Sequence, residues 1–154
     1  MIKYSIILLG LLVLASNLNA MPTHDKASAE FCTMPSLKCA KAPSATFDHK
    51  GKLWLAWAFG GHIYIQHSDD QGKSYSSPQA INAVPENIAA RAENRPKIKL
   101  DDQENIYISW TQSLEKRYTG NIRFSRSLDG GKTFSSPVTI NDDQQQISHR
   151  FDSL

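Results

Sequence analysis

One eleven-residue phrase occurs twice in this chain. Ser68-Asp69-Asp70-Gln71-Gly72-Lys73-Ser74-Tyr75-Ser76-Ser77-Pro78 is answered by Ser127-Leu128-Asp129-Gly130-Gly131-Lys132-Thr133-Phe134-Ser135-Ser136-Pro137. From Ser68 to Ser127 the offset is 59 residues, whereas upstream, from Pro43 to Pro96 and from Trp57 to Trp110, it is 53. The second unit therefore carries six extra residues around 113–119. Such a repeat constrains the fold more than any single residue. Each unit must be one supersecondary element that buries its apolar face against the next.

The units read as strands. In the first, 44–47 is extended, 48–51 is a turn, 53–57 is apolar on both faces, 63–65 resumes after Gly60-Gly61, and 78–82 is a weaker strand. The second repeats the order over 97–100, 106–110, 122–125 and 137–141, with Ile106, Ile108 and Trp110 on one face. Helical periodicity is absent after the first twenty residues. Four strands per unit predict an all-β chain of propeller blades. The expected layout is one four-stranded antiparallel blade over 43–83 and a second over 95–142. The opening strand of a third is expected over 149–154, with Arg150 in the place of Arg95. Trp54, Trp57 and Trp110 fall in second strands and are expected in the core.

Both loops fit S-x-D-x-G-x-x-aromatic through Ser68, Asp70, Gly72 and Tyr75, and through Ser127, Asp129, Gly131 and Phe134. This resembles the Asp-box (bacterial neuraminidase) repeat of the sialidase superfamily, over 43–154. The motif's physics is structural. Ser and Asp side chains bond nearby backbone groups, and the glycines take a conformation that a Cβ resists. Tyr75 and Phe134 are expected to enter the apolar layer. Turn chemistry explains Asp70 and Asp129 without a catalytic role. An EF-hand-type calcium loop needs a carboxylate at its twelfth position, which counted from Ser68 is Gln79.

The resemblance implies a six-bladed propeller with its active site on the face opposite the Asp boxes. It also implies an arginine triad for the sialic acid carboxylate, a Tyr/Glu nucleophile pair and an Asp general acid. In an antiparallel blade, the turns after strands one and three share a lower end with the Asp boxes. The loops after strands two and four share the upper end. The upper end then gathers Arg91, Glu93 and Arg95, then Glu115, Lys116, Arg117 and Tyr118, then Asp142, Asp143, His149 and Arg150. Arg95 and Arg150 hold equivalent positions and are the candidates for an anion clamp, since a planar guanidinium suits a carboxylate. The alternative is a pair of solvated loop arginines, and Arg95-Pro96 departs from the family's Arg-Ile-Pro order. Glu115 and Tyr118 are the candidates for a nucleophile pair, with a merely polar loop as the alternative. No acid/base Asp is assigned by motif.

At the N-terminus, Lys3, an apolar run over 6–15 broken only by Gly10, and Leu18-Asn19-Ala20 form the pattern of a secretory signal peptide over 1–20. The run is too short for a membrane helix, which needs about 20 residues, although a short uncleaved anchor is an alternative. Residues 21–42 read as a leader. Cys32 and Cys39, the only cysteines, are expected to form a disulfide in an exported protein. No C-x-x-C and no zinc set is present, and the five His residues (24, 49, 62, 67, 149) show no metal spacing. No metal or cofactor is expected. A net charge of +2 without a basic stripe argues against nucleic acid. No apolar segment after residue 20 suggests a membrane partner.

A propeller needs about four to eight blades, so two blades would leave open edges prone to self-association. Three copies would give six blades. The preferred expectation is an N-terminal piece of a longer protein, inactive alone. The functional expectation is an exported, periplasmic or secreted exo-α-sialidase-type glycoside hydrolase in full-length form, with an acidic glycan as partner. The alternatives are a non-catalytic glycan- or protein-binding propeller and an inert relic.

Overall fold

A computed structural model describes residues 32–91, 93–143, 145–149 and 154. The expected signal peptide, Arg150 and most of the expected third-blade strand lie outside these residues.

From Cys32 onward the chain forms two sheets. The first orders β1 (Lys41–Phe47), β2 (Leu53–Phe59), β3 (His62–Ser68) and β4 (Gln79–Ala80) as a meander. The second orders β5 (Lys97–Leu100), β6 (Ile106–Ser113), β7 (Gly120–Ser127) and β8 (Val138–Thr139) in the same way. Every strand pairing is antiparallel. Among the described residues a 3-10 turn, Leu37–Cys39, precedes them. These are the two four-stranded blades expected from the repeat.

The strand lengths follow from the turns. Gly60 and Gly61 both take positive φ, 58° and 84°, and the two-residue turn carries the β2–β3 ladder to Phe59 and His62. His62 and Gln66 therefore lie inside β3 rather than flanking a shorter strand. In the second blade the ladder gains one further pair, Ser113 with Gly120, and the rest of the insertion forms the loop 114–119. β4 and β8 are shorter than the expected 78–82 and 137–141. Beyond each, an asparagine side chain takes over from the ladder. Asn82 Oδ1 accepts from the Ile63 amide at 2.8 Å and Asn141 Oδ1 from the Ile122 amide at 3.1 Å.

The first blade begins at Lys41, not Pro43. Lys41 pairs with Ala58 and Ser44 with Ala56, so one extra residue bulges from β1. Ala42 carries the bulge at φ 48°. A left-handed conformation costs an L-residue about 1–2 kcal/mol, and Pro43 further restricts the residue before it. Just upstream, a disulfide joins Cys32 to Cys39 across a Cα–Cα distance of 5.6 Å.

The blades stack face to face. Trp54, Ala56, Ala58, Ile63, Ile65 and Ile81 of the first meet Ile106, Ile108 and Trp110 of the second in one buried cluster. All three tryptophans are buried, as expected. β1 and β5 neighbour each other at the inner edge. Farther out, the Gln79 side chain donates to the Lys132 carbonyl at 3.1 Å. Ile81 and Ile140 hold the same repeat position, yet Ile81 is 7% exposed beneath the second blade and Ile140 is 51% exposed. The outward face of the second blade is the open equivalent of the face the first blade buries.

Candidate functional site

Strand parity sends each turn to one of two ends. The β1–β2 turn meets the β3–β4 loop at the lower end, where Lys52 pairs with Asp69 at 3.1 Å. Both Ser-x-Asp-x-Gly loops lie there and share one hydrogen-bond pattern. Ser68 Oγ donates to Asp70 Oδ1 at 2.8 Å and accepts from the Gly72 amide at 2.7 Å. Asp70 also accepts from the Ser74 amide and hydroxyl at 2.8 and 2.6 Å. Ser127, Asp129, Gly131 and Thr133 repeat this at 2.7, 2.8, 2.9 and 2.6 Å. The Ser74 hydroxyl, then the Ser74 amide, draw the Asp70 pKa from 3.8 to about 2. Thr133, by the same two bonds, lowers that of Asp129. These carboxylates serve as turn locks.

A second pair of turn carboxylates escaped the sequence reading. Asp48 accepts from the Lys50 and Lys52 amides and from the Trp54 indole. Asp101 accepts from the Gln103 and Asn105 amides and the Tyr107 hydroxyl. Of the two motif aromatics, Phe134 packs against the core, whereas Tyr75 is 38% exposed. Tyr75 does not enter the apolar layer. Its hydroxyl lies across Gly72, 2.9 Å from where a Cβ would stand.

The upper end is built from the connector between the blades and the 114–119 loop. The connector pairs with β6, through the Ala89 amide to the Thr111 carbonyl (2.9 Å) and the Ser113 amide to the Asn87 carbonyl (2.7 Å). The loop is closed by the Leu114 amide to the Thr119 carbonyl (3.1 Å) and by the Thr119 hydroxyl to the Lys116 carbonyl (2.6 Å). Between connector and loop lies a cavity of about 410 Å³ whose lining includes Lys41, Arg91, Lys116, Arg117 and Tyr118. A second cavity of about 500 Å³ shares Lys41, Ala90 and Arg91 and reaches Arg95. The two adjoin along this shared lining, and Lys41, Arg91, Arg95, Lys116 and Arg117 are their cationic residues.

Arg95 lies just before β5, exposed, where the expectation placed it. Arg150, its expected partner, is outside the described residues. Tyr118 lines the first cavity and Glu115 does not, so the cavity wall takes up one member of the expected nucleophile pair. Lys41 was missed, because it read as leader. The bulge at Ala42 brings it into both cavities.

Two further groupings were not legible from spacing. Asp142, Asp143 and His149 converge with one ligand atom each within 4.8 Å, and could offer those atoms to a cation. His149 is not an ordinary surface residue. Its ring bonds the Gly120 carbonyl at 3.1 Å through Nδ1 and faces Asp143 at 3.2 Å through Nε2. In the connector, Glu86 accepts from the Trp110 indole at 2.9 Å and pairs with Arg123 at 3.0 Å.

No family model and no curated protein matches the chain. Among solved structures it is similar to the Hadza microbial sialidase Hz136, with 15% identity and a TM-score of 0.48, over 66% of this chain and 26% of that one. It is likewise similar to the NanB sialidase from Streptococcus pneumoniae, with 22% identity and a TM-score of 0.46, over 66% of this chain and 14% of that one. The chain thus spans about a quarter of the first structure and about a seventh of the second. Its own sheets make it an all-β protein of two four-stranded antiparallel blades of propeller type.

Proposed function

We propose that this chain supplies two blades of an exported, sialidase-like Asp-box propeller whose upper end binds the acidic sugar of a sialoglycoconjugate. One observation carries the reading. At the end opposite both Ser-x-Asp-x-Gly loops, Lys41, Arg91 and Arg95 line one groove. Guanidinium and ammonium groups recognise a carboxylate through charge-assisted hydrogen bonds. Arg95 and Arg150 form the clamp of this reading, and Tyr118 with Glu115 is its weakest part. Exo-α-sialidase activity belongs, in this proposal, to a propeller with further blades. Export is supported by the N-terminal pattern over 1–20 and by the Cys32–Cys39 disulfide, since disulfides persist in oxidising compartments. Among the described residues no helix is long and apolar enough to cross a membrane.

A non-catalytic glycan-binding propeller is the second reading. It is favoured by the composition of the groove, because cations and an exposed tyrosine suffice to hold an acidic sugar. Calorimetric titration with sialyllactose, with lactose as the uncharged control, tests the shared claim. Binding of sialyllactose alone, weakened about tenfold in Arg95→Ala, is expected for loss of a charged hydrogen bond. Equal binding of both sugars rejects the acidic-sugar site. A parallel assay for released sialic acid separates the readings, as turnover supports the hydrolase and binding without turnover the lectin-like form.

A further inference from the structure

The geometry points to a second anion subsite, made by the 114–119 loop, that takes a second acid group of an oligosaccharide carrying acids on successive sugars. The inference rests on the acidic-sugar reading of the groove and extends it from one charge to several.

The six extra residues of the second blade do not simply lengthen a hairpin. One ladder pair lifts the loop past the end of β2–β3, and the loop then closes on itself. In doing so it presents Lys116 and Arg117 to the same cavity that Lys41 and Arg91 enter from the other side. Four cationic residues thus line one cavity of about 410 Å³, and three of its lining residues, Lys41, Ala90 and Arg91, also line the cavity that reaches Arg95. Like charges gathered in one concavity repel each other. That repulsion is relieved by an anion, and it grows with each cation added.

Two features select a sugar rather than a bare ion. The Tyr118 ring is exposed at the cavity wall, and the Arg117 guanidinium lies 4.5 Å from its centroid. With the guanidinium held over one face of the ring, the other face offers an apolar platform for a pyranose while the guanidinium edge offers a fork for its acid group. The adjoining cavities fit an extended ligand better than a compact one. Local backbone strain marks the same place. Ala42 at φ 48° brings Lys41 to the groove, and Tyr118 at φ 65° sits in the loop itself. Left-handed non-glycine residues persist where the surroundings over-determine them, here as at Gln71 and Glu104 in the lower turns.

The test titrates the full chain with four probes: sialyllactose, an oligomer of three linked sialic acids, lactose, and a single-stranded oligonucleotide of matching charge. It compares the wild type with Lys116→Ala/Arg117→Ala and with Arg95→Ala, each first checked by thermal melting. Wild-type chain should bind the sialic acid oligomer about tenfold or more tightly than sialyllactose, the step a second charged hydrogen bond supplies. The loop double variant should lose that advantage while keeping its affinity for sialyllactose. Arg95→Ala should weaken both sugars. A loop variant that binds the oligomer like the wild type overturns the inference and leaves the single-sugar reading standing. Oligomer binding that depends on the loop, without sialyllactose binding, upholds the subsite and rejects the single-sugar reading. Equal binding of the oligonucleotide, or no binding of either acidic sugar, overturns the subsite.

Discussion

The two blades solve one problem in two ways. Trp57 and Trp110 hold equivalent positions in their second strands, and each buries an indole that needs an acceptor. In the first blade Gln66, on the adjacent strand, accepts from Trp57 at 3.1 Å while Tyr64 stacks on the ring at 4.8 Å. In the second blade the matching residues are Ser125 and Arg123. Ser125 spends its hydroxyl on the Ser135 carbonyl. Trp110 therefore takes its acceptor from Glu86, which lies after the first blade's last strand and also holds Arg123. The first blade is satisfied within itself, whereas the second depends on the connector. That dependence ties the second blade to the connector, whose Glu86 amide bonds the Gly61 carbonyl of the first.

Breaking this contrast should give the largest effect. Glu86→Ala removes the acceptor of the Trp110 indole and the carboxylate partner of Arg123, which keeps Thr139 and the Pro137 carbonyl, and side-chain exposures of 10% for Glu86 and 18% for Arg123 keep water from replacing the carboxylate fully. The pair is part-buried, and losing its charged hydrogen bonds together with the indole's acceptor should cost about 2–4 kcal/mol. Gln66→Ala removes a neutral acceptor and should cost about 1–3 kcal/mol. Denaturant titration of both variants checks the order, and equal losses would remove the distinction between the blades.

The next contrast lies in the loop glycines. A Cβ on Gly131 would meet Trp54 of the other blade at 3.0 Å and Ile106 at 3.1 Å, at φ 85°. Gly131→Ala should cost about 1–2 kcal/mol for the backbone and about 1–3 kcal/mol more for crowding. Gly72→Ala, at φ 90°, meets only the movable end of Tyr75 and Leu53 and should show the backbone cost alone. Thermal melts of the pair measure the difference.

Acid should loosen the two lower loops. The Asp70 pKa is lowered from 3.8 to about 2, and that of Asp129 is also lowered. A depressed carboxylate contributes stability above its unfolded pKa and loses it as pH falls through the folded pKa. Melting temperature should therefore fall between about pH 4 and 2, and Asp70→Asn and Asp129→Asn should each flatten that slope. An unchanged slope in both variants would show that these locks do not set the acid sensitivity.

The smallest effect is expected at the β1–β2 and β5–β6 turns. Gly51, at φ 82°, has its equivalent in Glu104 at φ 63°, held by an ion pair with Lys50. Glu104→Gly relieves the backbone but loosens the unfolded chain by about 0.4–1 kcal/mol and loses a surface pair worth about 0–1 kcal/mol. Its stability should stay within about 1 kcal/mol of the wild type.

The repeat made the blades, their order and the position of the loop insertion legible, because hydrogen bonds of the Ser68 and Ser127 loops close within a few residues. The Glu86 clasp was not legible. Its partners lie 24 and 37 residues away, and nothing local marks Glu86 as an acceptor. The bulge at Ala42 hid Lys41, since Pro43 marked the strand's start and its register is set only by pairing with β2. Tyr75 and Phe134 differ in burial although their motifs match, because Phe134 packs against the core cluster between the blades and Tyr75 does not. Asp142, Asp143 and His149 match no motif, and they meet only when the chain after β8 returns to Gly120.

The central claim is that the cationic upper end receives an acidic sugar while the lower loops only hold the fold. Amide shift mapping during titration with sialyllactose tests it most directly. The expected result is perturbation centred on 41–43 and 90–95, with 68–75 and 127–134 unmoved. Perturbation centred on the lower loops, or none at saturating sugar, would contradict it.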